Sequence, residues 1–291
     1  MKRQLTYVET VERSLMKTYR KEIYSPFMKA LRDFQMIEEN DHIAVCISGG
    51  KDSFLLAKCF QLIQRYGNIP FQLSFISMDP GYEEANYNKI VENAKKLEIP
   101  LHIFKAPIFD YVTTIEDSPC YLCARMRRGY LYKEAKALGC NKIALGHHFN
   151  DVIETNLMGM IYGAQIQTMM PKLHSTHFEG MELIRPLYYV REHHIQCWVR
   201  HNELEFIACA CALTKKQNEE EKAVGKRAKM KELVKELMKE NQHVEDNIFR
   251  SMFDINLNTV IGYHDDQGSH NFLDTYKDKE IILRGESKWK N

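Results

Sequence analysis

The chain has 291 residues, of which 44% are hydrophobic and 27% are charged, values typical of folded globular proteins rather than disordered or fibrous ones. Its 40 Lys and Arg residues nearly balance its 39 Asp and Glu residues, so no global field attracts a polyanion and any nucleic-acid surface must be local. The sequence contains no recognisable signal peptide or membrane span, and its eight cysteines therefore indicate reduced thiols rather than a disulfide framework. We expect a cytoplasmic protein.

The chain alternates strand-like apolar runs with helical patterns. Amphipathic helices are predicted between Val8 and Phe34, and four apolar runs then occupy residues 42–47, 71–78, 101–106 and 142–145, each followed by a helical pattern. This alternation predicts an α/β fold with a doubly wound parallel sheet over residues 38–213. Residues 1–37 are predicted to be an N-terminal helical lead-in, and residues 214–291 a C-terminal helical extension and tail.

Four sequence signals follow the predicted strands. They are the loop 48–53, Asp79, the loop that carries Cys120, and the segment 146–151. Parallel strands end at one edge of the sheet, where ligands bind near the switch in strand order. We therefore expect these four signals to share one rim.

The first strand leads into the sequence Ser48-Gly49-Gly50-Lys51-Asp52-Ser53. The glycines let the backbone approach a phosphate, the following helix points its N–H groups at the anion, and the lysine adds a positive charge. This is not a Walker A loop, because Asp52 replaces the Ser or Thr that would follow Lys51. The pattern predicts a pyrophosphate-binding loop in preference to a glycine-rich turn without a ligand.

The cysteines suggest a metal site. Cys120 and Cys123 are three residues apart at a predicted helix start, where the helix dipole favours thiolates. Cys209 and Cys211 form the other close pair. A structural zinc site would use all four thiols. Cys46 and Cys59 fall on a strand and on an apolar helix face, which predicts burial.

Basic residues give weaker signals. Arg125, Arg127 and Arg128 are predicted to bind RNA phosphates, with a solvated face as the alternative. Lys172 and Arg185, which lie beside prolines, are candidates for the same surface. One residue of the pair His147 and His148 is predicted either to contact a nucleotide or to be a packed histidine. For the Lys/Glu-rich stretch after residue 213, a solvated helix is favoured over an RNA-contacting one.

The loop 48–53 matches in full the Ser-Gly-Gly-x-Asp-Ser signature of the PP-loop ATP pyrophosphatases. Three further segments resemble the tRNA 2-thiocytidine synthetase family in order and spacing: CYLCARMRRG at 120–129, IALGHH at 143–148 and RPL at 185–187. The resemblance covers residues 38–213. It implies a PP-loop fold of the adenine nucleotide alpha hydrolase-like type.

The resemblance also implies a reaction, ATP-dependent tRNA thiolation. A base carbonyl oxygen, at C2 of an anticodon-loop cytidine at tRNA position 32, is adenylated with loss of pyrophosphate, and sulfur then displaces AMP. The implied cofactors are ATP, Mg²⁺ and a 4Fe–4S cluster on Cys120, Cys123 and Cys209, with Cys211 as the alternative third ligand. The implied partners are tRNA and a sulfur donor, either a cysteine desulfurase or sulfide. No membrane is expected, and the predicted assembly is a homodimer.

The predicted catalytic residues are Lys51, Asp52 and Asp151, because charge on the departing pyrophosphate needs a cation and a carboxylate-held metal. The predicted ATP-binding residues are Ser48, Gly49, Gly50, Lys51, Asp52, Ser53, Asp79, Gly146 and His147. Where many relatives carry two aspartates after His-His-x, this chain has Asn150 and Asp151, which leaves one carboxylate.

Two other interpretations of the sequence stay open. One is a PP-loop enzyme that acts on another tRNA base or a small molecule and has a structural four-cysteine zinc site. The other is a non-catalytic nucleotide-binding module stapled by zinc.

Overall fold

The computed structural model describes residues 3–106, 108, 119–207 and 225–276, with the backbone alone at 119–124. Among these residues, none of the helices combines the length and the apolarity needed to cross a bilayer.

A helical segment precedes the sheet, as predicted. Helix α1 spans Tyr7–Arg13 and helix α2 spans Ser25–Asp33, joined by π-helical turns at Ser14–Thr18 and Arg20–Tyr24. Thr6 and Glu9 form a reciprocal capping box at the start of α1, which satisfies two amide groups that the helix itself cannot pair. The apolar side chains of this segment are buried, including Val11, Leu15, Ile23 and Phe27.

The core is a six-stranded sheet. Its strands are β1 His42–Cys46, β2 Gln72–Asp79, β3 Leu101–Lys105, β4 Lys142–Ala144, β5 Lys172–His174 and β6 Glu182–Ile184. They lie in the order β3-β2-β1-β4-β6-β5, and every pairing is parallel except that of β5 with β6. The predicted parallel α/β sheet is confirmed, with the correction that its last edge strand is antiparallel.

Helices connect and flank the strands. They are α3 Lys51–Tyr66, α4 Glu84–Lys96, α5 Pro119–Ala137, α6 Phe149–Gly163 and α7 Glu192–His201. Alternate strand residues such as Ala44 and Ile76 pack against Tyr132 and Ala135 of α5. Because β1 leads to β2 on one side and lies beside β4 on the other, the switch in strand order falls between β1 and β4, where ligands bind in such sheets.

The chain divides into two compact units, Met1–Glu245 and Asp246–Asn291. The first includes α8 Lys226–Glu240, whose Met230 and Val234 are buried, so the amphipathic pattern predicted here forms a helix. The second contains most of α9 Val244–Ser251 and a hairpin of β7 Gly262–Asp265 and β8 Gly268–Asn271. The predicted tail therefore contains a hairpin. The domain boundaries predicted after residues 37 and 213 stay a prediction.

A buried ion pair joins α1 to α3. Only 1% of the Lys58 side chain is exposed, and its ammonium donates to Glu12 Oε1 at 2.8 Å, to Gln61 Oε1 at 2.8 Å and to the Leu97 carbonyl at 3.2 Å. Burial lowers the pKa of Lys58, although Glu12 opposes the shift. A charge this deeply buried depends on its partner, because an uncompensated ion inside a protein is costly.

We predict that Glu12→Ala lowers the free energy of unfolding by about 3–5 kcal/mol, since it leaves Lys58 buried without a counter-charge. Urea denaturation measures the change. The control is Glu236→Ala, which breaks a pair with Lys239 whose side chains are both 68% exposed and should cost no more than about 1 kcal/mol. Equal losses in the two variants would contradict the assignment.

Candidate active site

A cavity of about 360 Å³ lies at the carboxyl edge of the sheet. It collects side chains from the loop after β1, the end of β2, the middle of α5 and the segment after β4. The lining residues are Cys46, Ile47, Ser48, Asp52, Ser53, Met78, Arg127, Leu131, Leu145, Gly146, His147 and Asp151. The structure therefore brings together the loop 48–53 and the segment 146–151, which the sequence predicted to share one rim.

Close contacts fix the loop at the start of α3. Gly49 has φ +90°, and a Cβ there would lie 2.4 Å from Cδ1 of Ile207. A Cβ at Gly146 would lie 3.1 Å from the backbone of Asp52 and of Ser53. Both positions therefore disfavour a side chain: the positive φ of Gly49 and the Ile207 side chain oppose one there, and the backbone of the first turn of α3 opposes one at Gly146.

The amino terminus of α3 is open to an anion. Ser53 Oγ donates to the Gly50 carbonyl at 2.8 Å and accepts from the Ser48 backbone N–H at 3.2 Å, so the serines hold the loop together. No described side chain caps the first turn of α3 at its N-cap residue, Gly50. Uncapped N–H groups at a helix start bind phosphates readily.

Asp52 is the carboxylate best suited to a metal ion. Its Oδ2 lies 3.2 Å from the ammonium of Lys51, whereas its Oδ1 is buried without a hydrogen-bond partner among the described residues. Burial raises the pKa of Asp52, although His148 and Lys51 oppose the shift. No group of three or more His, Cys, Asp or Glu side chains could hold a metal in the described part of the chain. Mg²⁺ commonly uses one or two carboxylates together with substrate phosphates, which fits Asp52.

Asp151 is already engaged by protein groups. Its Oδ2 accepts from the His148 backbone N–H at 3.0 Å, and its Oδ1 lies 3.2 Å from Nη1 of Arg227. A metal ion at Asp151 would have to displace the guanidinium. Of the two predicted metal carboxylates, Asp52 is therefore the more available.

The two adjacent histidines have different surroundings. His147 lines the cavity, and its Nδ1 accepts from Nε of Arg185 at 3.3 Å. Burial, followed by the charge of Arg185, lowers the pKa of His147 to about 4, so the ring is neutral near pH 7. His148 is buried, and its Nδ1 accepts from the Asp151 backbone N–H at 3.4 Å at the start of α6. His148 is thus a packed, hydrogen-bonded histidine.

Asn150 turns away from the predicted metal site. Its Oδ1 accepts from the Glu192 backbone N–H at 3.0 Å, and its Nδ2 donates to Glu245 Oε1 at 2.8 Å. An aspartate could not donate to Glu245, because a carboxylate is an acceptor only. The amide that replaces an expected carboxylate therefore binds the start of α7.

The predicted RNA-binding residues fall into two groups. Arg125 and Arg128 are exposed on α5, whereas Arg127 lines the cavity and donates to the Tyr82 hydroxyl at 3.3 Å. Arg185 is 7% exposed and also donates to the Met170 carbonyl. Burial, followed by the charge of Arg128, lowers the pKa of Arg185 to about 10. RNA contact by these residues stays a prediction, and Arg125 and Arg128 are the exposed pair.

Lys172 and Asp79 are two of the predicted site residues that lie outside the cavity lining. Lys172 donates to the Gln35 carbonyl at 2.9 Å and lies 3.3 Å from the carboxylates of Glu38 and Glu182. Glu182 begins β6, so this cluster is at the sheet edge opposite the cavity. At the end of β2, Asp79 Oδ1 accepts backbone N–H groups at 3.0 Å and 2.9 Å and so closes its own turn.

Three charged residues around the site could not be predicted from the sequence. Glu192 begins α7, and its Oε1 lies 3.2 Å from the ammonium of Lys51. From α8, Lys231 pairs with Glu192 and Arg227 pairs with Asp151. The only sequence signal for Arg227 and Lys231 is the Lys/Glu-rich pattern that predicted a solvated helix, and Glu192 lies outside that stretch.

The predicted cluster cysteines lie at the limits of the described residues. Cys120 and Cys123 belong to the first turn of α5, where only the backbone is described, and Cys209 and Cys211 lie outside the described residues. The predicted burial of Cys46 and Cys59 is confirmed. Burial raises the pKa of Cys46 to about 12, so this thiol stays protonated.

Known proteins are similar to this chain in sequence and in fold. A PP-loop domain model matches residues 12–223. The tRNA-cytidine(32) 2-sulfurtransferase of Geobacter metallireducens is 34% identical over 242 residues, which cover 82% of this chain and 91% of that protein. The protein of the same name from Geobacter sulfurreducens is 32% identical over 235 residues, which cover 80% and 89%.

A solved structure has the same fold at lower identity. The U34-tRNA thiolase NcsA from Methanococcus maripaludis, determined with its 4Fe–4S cluster, superposes with a TM-score of 0.60 at 21% identity, covering 79% of this chain and 76% of that one. The predicted PP-loop fold is confirmed. The chain belongs to the PP-loop domain family and, within it, groups with the tRNA-cytidine(32) 2-sulfurtransferases.

Proposed function

We propose that this chain is an ATP-dependent tRNA sulfurtransferase that replaces the C2 carbonyl oxygen of cytidine 32 by sulfur. The observation that carries the proposal is the uncapped start of α3 beside a buried Asp52 oxygen without a hydrogen-bond partner. That site lies in a chain whose relatives, matched over about nine-tenths of their length, are named for this reaction.

The first step makes the oxygen a leaving group. The base carbonyl oxygen attacks the α-phosphorus of ATP, the bond to the bridging oxygen breaks, and pyrophosphate departs. The N–H groups at the start of α3 and the ammonium of Lys51 stabilise the charge on that pyrophosphate, as preorganised dipoles and charges do in other enzymes. Mg²⁺ held by Asp52 would neutralise further phosphate charge.

The second step forms a C–S bond at C2 and breaks the C2–O bond, so AMP leaves with the oxygen of the base. The proposed carrier of the sulfur is a 4Fe–4S cluster on Cys120, Cys123 and Cys209. Ile207, the last described residue before Cys209, packs on Gly49 of the nucleotide loop. The sulfur donor, a cysteine desulfurase or sulfide, and a homodimeric assembly also stay predictions.

The alternative is a PP-loop enzyme for another tRNA base or a small molecule with a four-cysteine zinc site. The names of the relatives do not favour it. Metal analysis and product analysis distinguish it from the proposal.

We predict that the protein, incubated with ATP, an anticodon stem-loop and a sulfur source, forms AMP and pyrophosphate, and that Lys51→Ala slows this by about 10²–10³-fold through lost charge stabilisation. Chromatography of the nucleotides gives the rates. Lys95→Ala changes an exposed lysine on α4 and serves as the control. ADP and orthophosphate as products, or equal rates in both variants, would contradict this prediction.

We predict that anaerobically purified protein is brown and contains about four irons per chain, as a cubane cluster requires. Changing Cys120, Cys123 or Cys209 to Ala should stop thiolation but preserve ATP binding, and Cys211→Ala should be milder. Cys197→Ala, at a half-buried thiol on α7, is the control. Stoichiometric zinc with equal losses at Cys209 and Cys211 would support the zinc site instead.

We predict that the double change Arg125→Ala and Arg128→Ala weakens binding to many tRNAs and reduces the salt slope of log K by roughly 2, about one per phosphate contact. Arg127→Ala should instead raise the ATP concentration needed for half-maximal rate, because Arg127 lines the cavity. Filter binding over a salt series and steady-state kinetics measure these effects. If the double variant binds RNA as tightly as wild type, Arg125 and Arg128 are solvated surface residues that do not contact RNA.

A further inference from the structure

Two carboxylates share the ammonium group of Lys51. Nζ lies 3.2 Å from Oδ2 of Asp52 and 3.2 Å from Oε1 of Glu192. Asp52 is the next residue in the same helix, whereas Glu192 comes from α7, 141 positions along the chain. Burial opposes the charge on Lys51, but the two carboxylates outweigh it and raise the pKa of Lys51. The side chain is therefore a cation held between two partners.

Glu192 is itself held from several directions. Its backbone N–H donates to Oδ1 of Asn150, and its Oε2 accepts from the ammonium of Lys231. Asn150 in turn donates to Glu245, which also pairs with Arg191. Burial would raise the pKa of Glu192, but Lys231 and Lys51 lower it to about 2, so the side chain is an anion at neutral pH.

Because Glu192 shares the ammonium group of Lys51, Asp52 stays available to bind a metal ion. If Glu192 carried no charge, Asp52 would be the one remaining carboxylate of this pair, and the ion pair between adjacent residues would tighten. That pairing would draw the cation toward the oxygens proposed to hold Mg²⁺. A displacement of about 1 Å at a reacting centre can cost on the order of 10²-fold in rate.

We propose that Glu192 is a positioning residue for Lys51, and that Lys231 of α8 balances the charge of Glu192 beside the bound polyphosphate. The proposal rests on the proposed function, because it explains how Lys51 is positioned to stabilise the departing pyrophosphate. Helix α8 lies outside residues 12–223, which the PP-loop domain model matches. The proposal makes this helix part of the ATP site.

The two residues should have different kinetic signatures. Glu192→Gln keeps the shape but removes the charge, so turnover should fall by roughly 10–100-fold while KM for ATP stays within about twofold, the pattern of a contact needed in the transition state. Lys231→Met removes one of the two lysines that pair with Glu192 and so leaves more negative charge near the phosphates, and KM for ATP should therefore rise severalfold. Lys235→Met is the control, since Lys235 lies one turn further along α8 and pairs with Glu232 at 3.9 Å.

The double variant Glu192→Gln and Lys231→Met tests whether Lys231 acts through the charge of Glu192. With Gln at position 192, Lys231 has no charge to balance, so adding Lys231→Met should change KM for ATP little. Two independent structural effects would instead add. Additive effects, or a turnover of Glu192→Gln within twofold of wild type, would overturn the proposal. Thermal unfolding of each variant checks that the fold is retained.

A readout without tRNA separates this proposal from the function on which it rests. In the absence of substrates, an amine-specific acylating reagent should modify Lys51 severalfold faster in Glu192→Gln than in wild type or Lys235→Met, as measured by mass spectrometry of the peptide. An unchanged rate would refute the pairing whatever the reaction is. Failure of the wild-type protein to form AMP and pyrophosphate would refute the proposed function and leave the labelling result intact.

Discussion

The unsatisfied N–H groups at the start of α3 are the feature on which the rest of the site depends. A helix start binds an anion only if nothing else occupies it, and here the loop after β1 leaves it uncapped by any described side chain. The neighbouring segments come close because Gly49 and Gly146 carry no Cβ, so that the Ile207 side chain packs on the loop and the segment after β4 lies against the first turn. The parallel sheet holds these segments at one edge.

A site that binds polyphosphate needs cations that compensate the negative charge of its own carboxylates. Asp52, Asp151 and Glu192 all lie around the start of α3, and each has a cation close by, namely Lys51, Arg227 and Lys231. Two of those cations come from α8. The contacts of α8 tie it to α6 and α7 within one compact unit.

Local patterns predicted most of the fold. The strand, loop and helix around residues 42–66 could be predicted because their signals are adjacent in sequence. Strands β5 and β6 were missed because three residues carry too little periodicity, and the β7–β8 hairpin because its strands are largely polar. Glu192 could not be assigned, since its contact with Lys51 joins residues 141 positions apart. The interpretation of Lys172 as a surface cation failed to anticipate Glu38 and Glu182 for the same reason.

In the proposed mechanism ATP activates an oxygen of the RNA base, so the fate of that oxygen distinguishes this mechanism from others. A synthetic anticodon stem-loop with oxygen-18 at the C2 carbonyl of cytidine 32 would be incubated with the protein, ATP and a sulfur source, and the released AMP analysed by mass spectrometry. The account predicts one oxygen-18 atom in AMP for each thiolated base. Thiolated RNA accompanied by unlabelled AMP would contradict it.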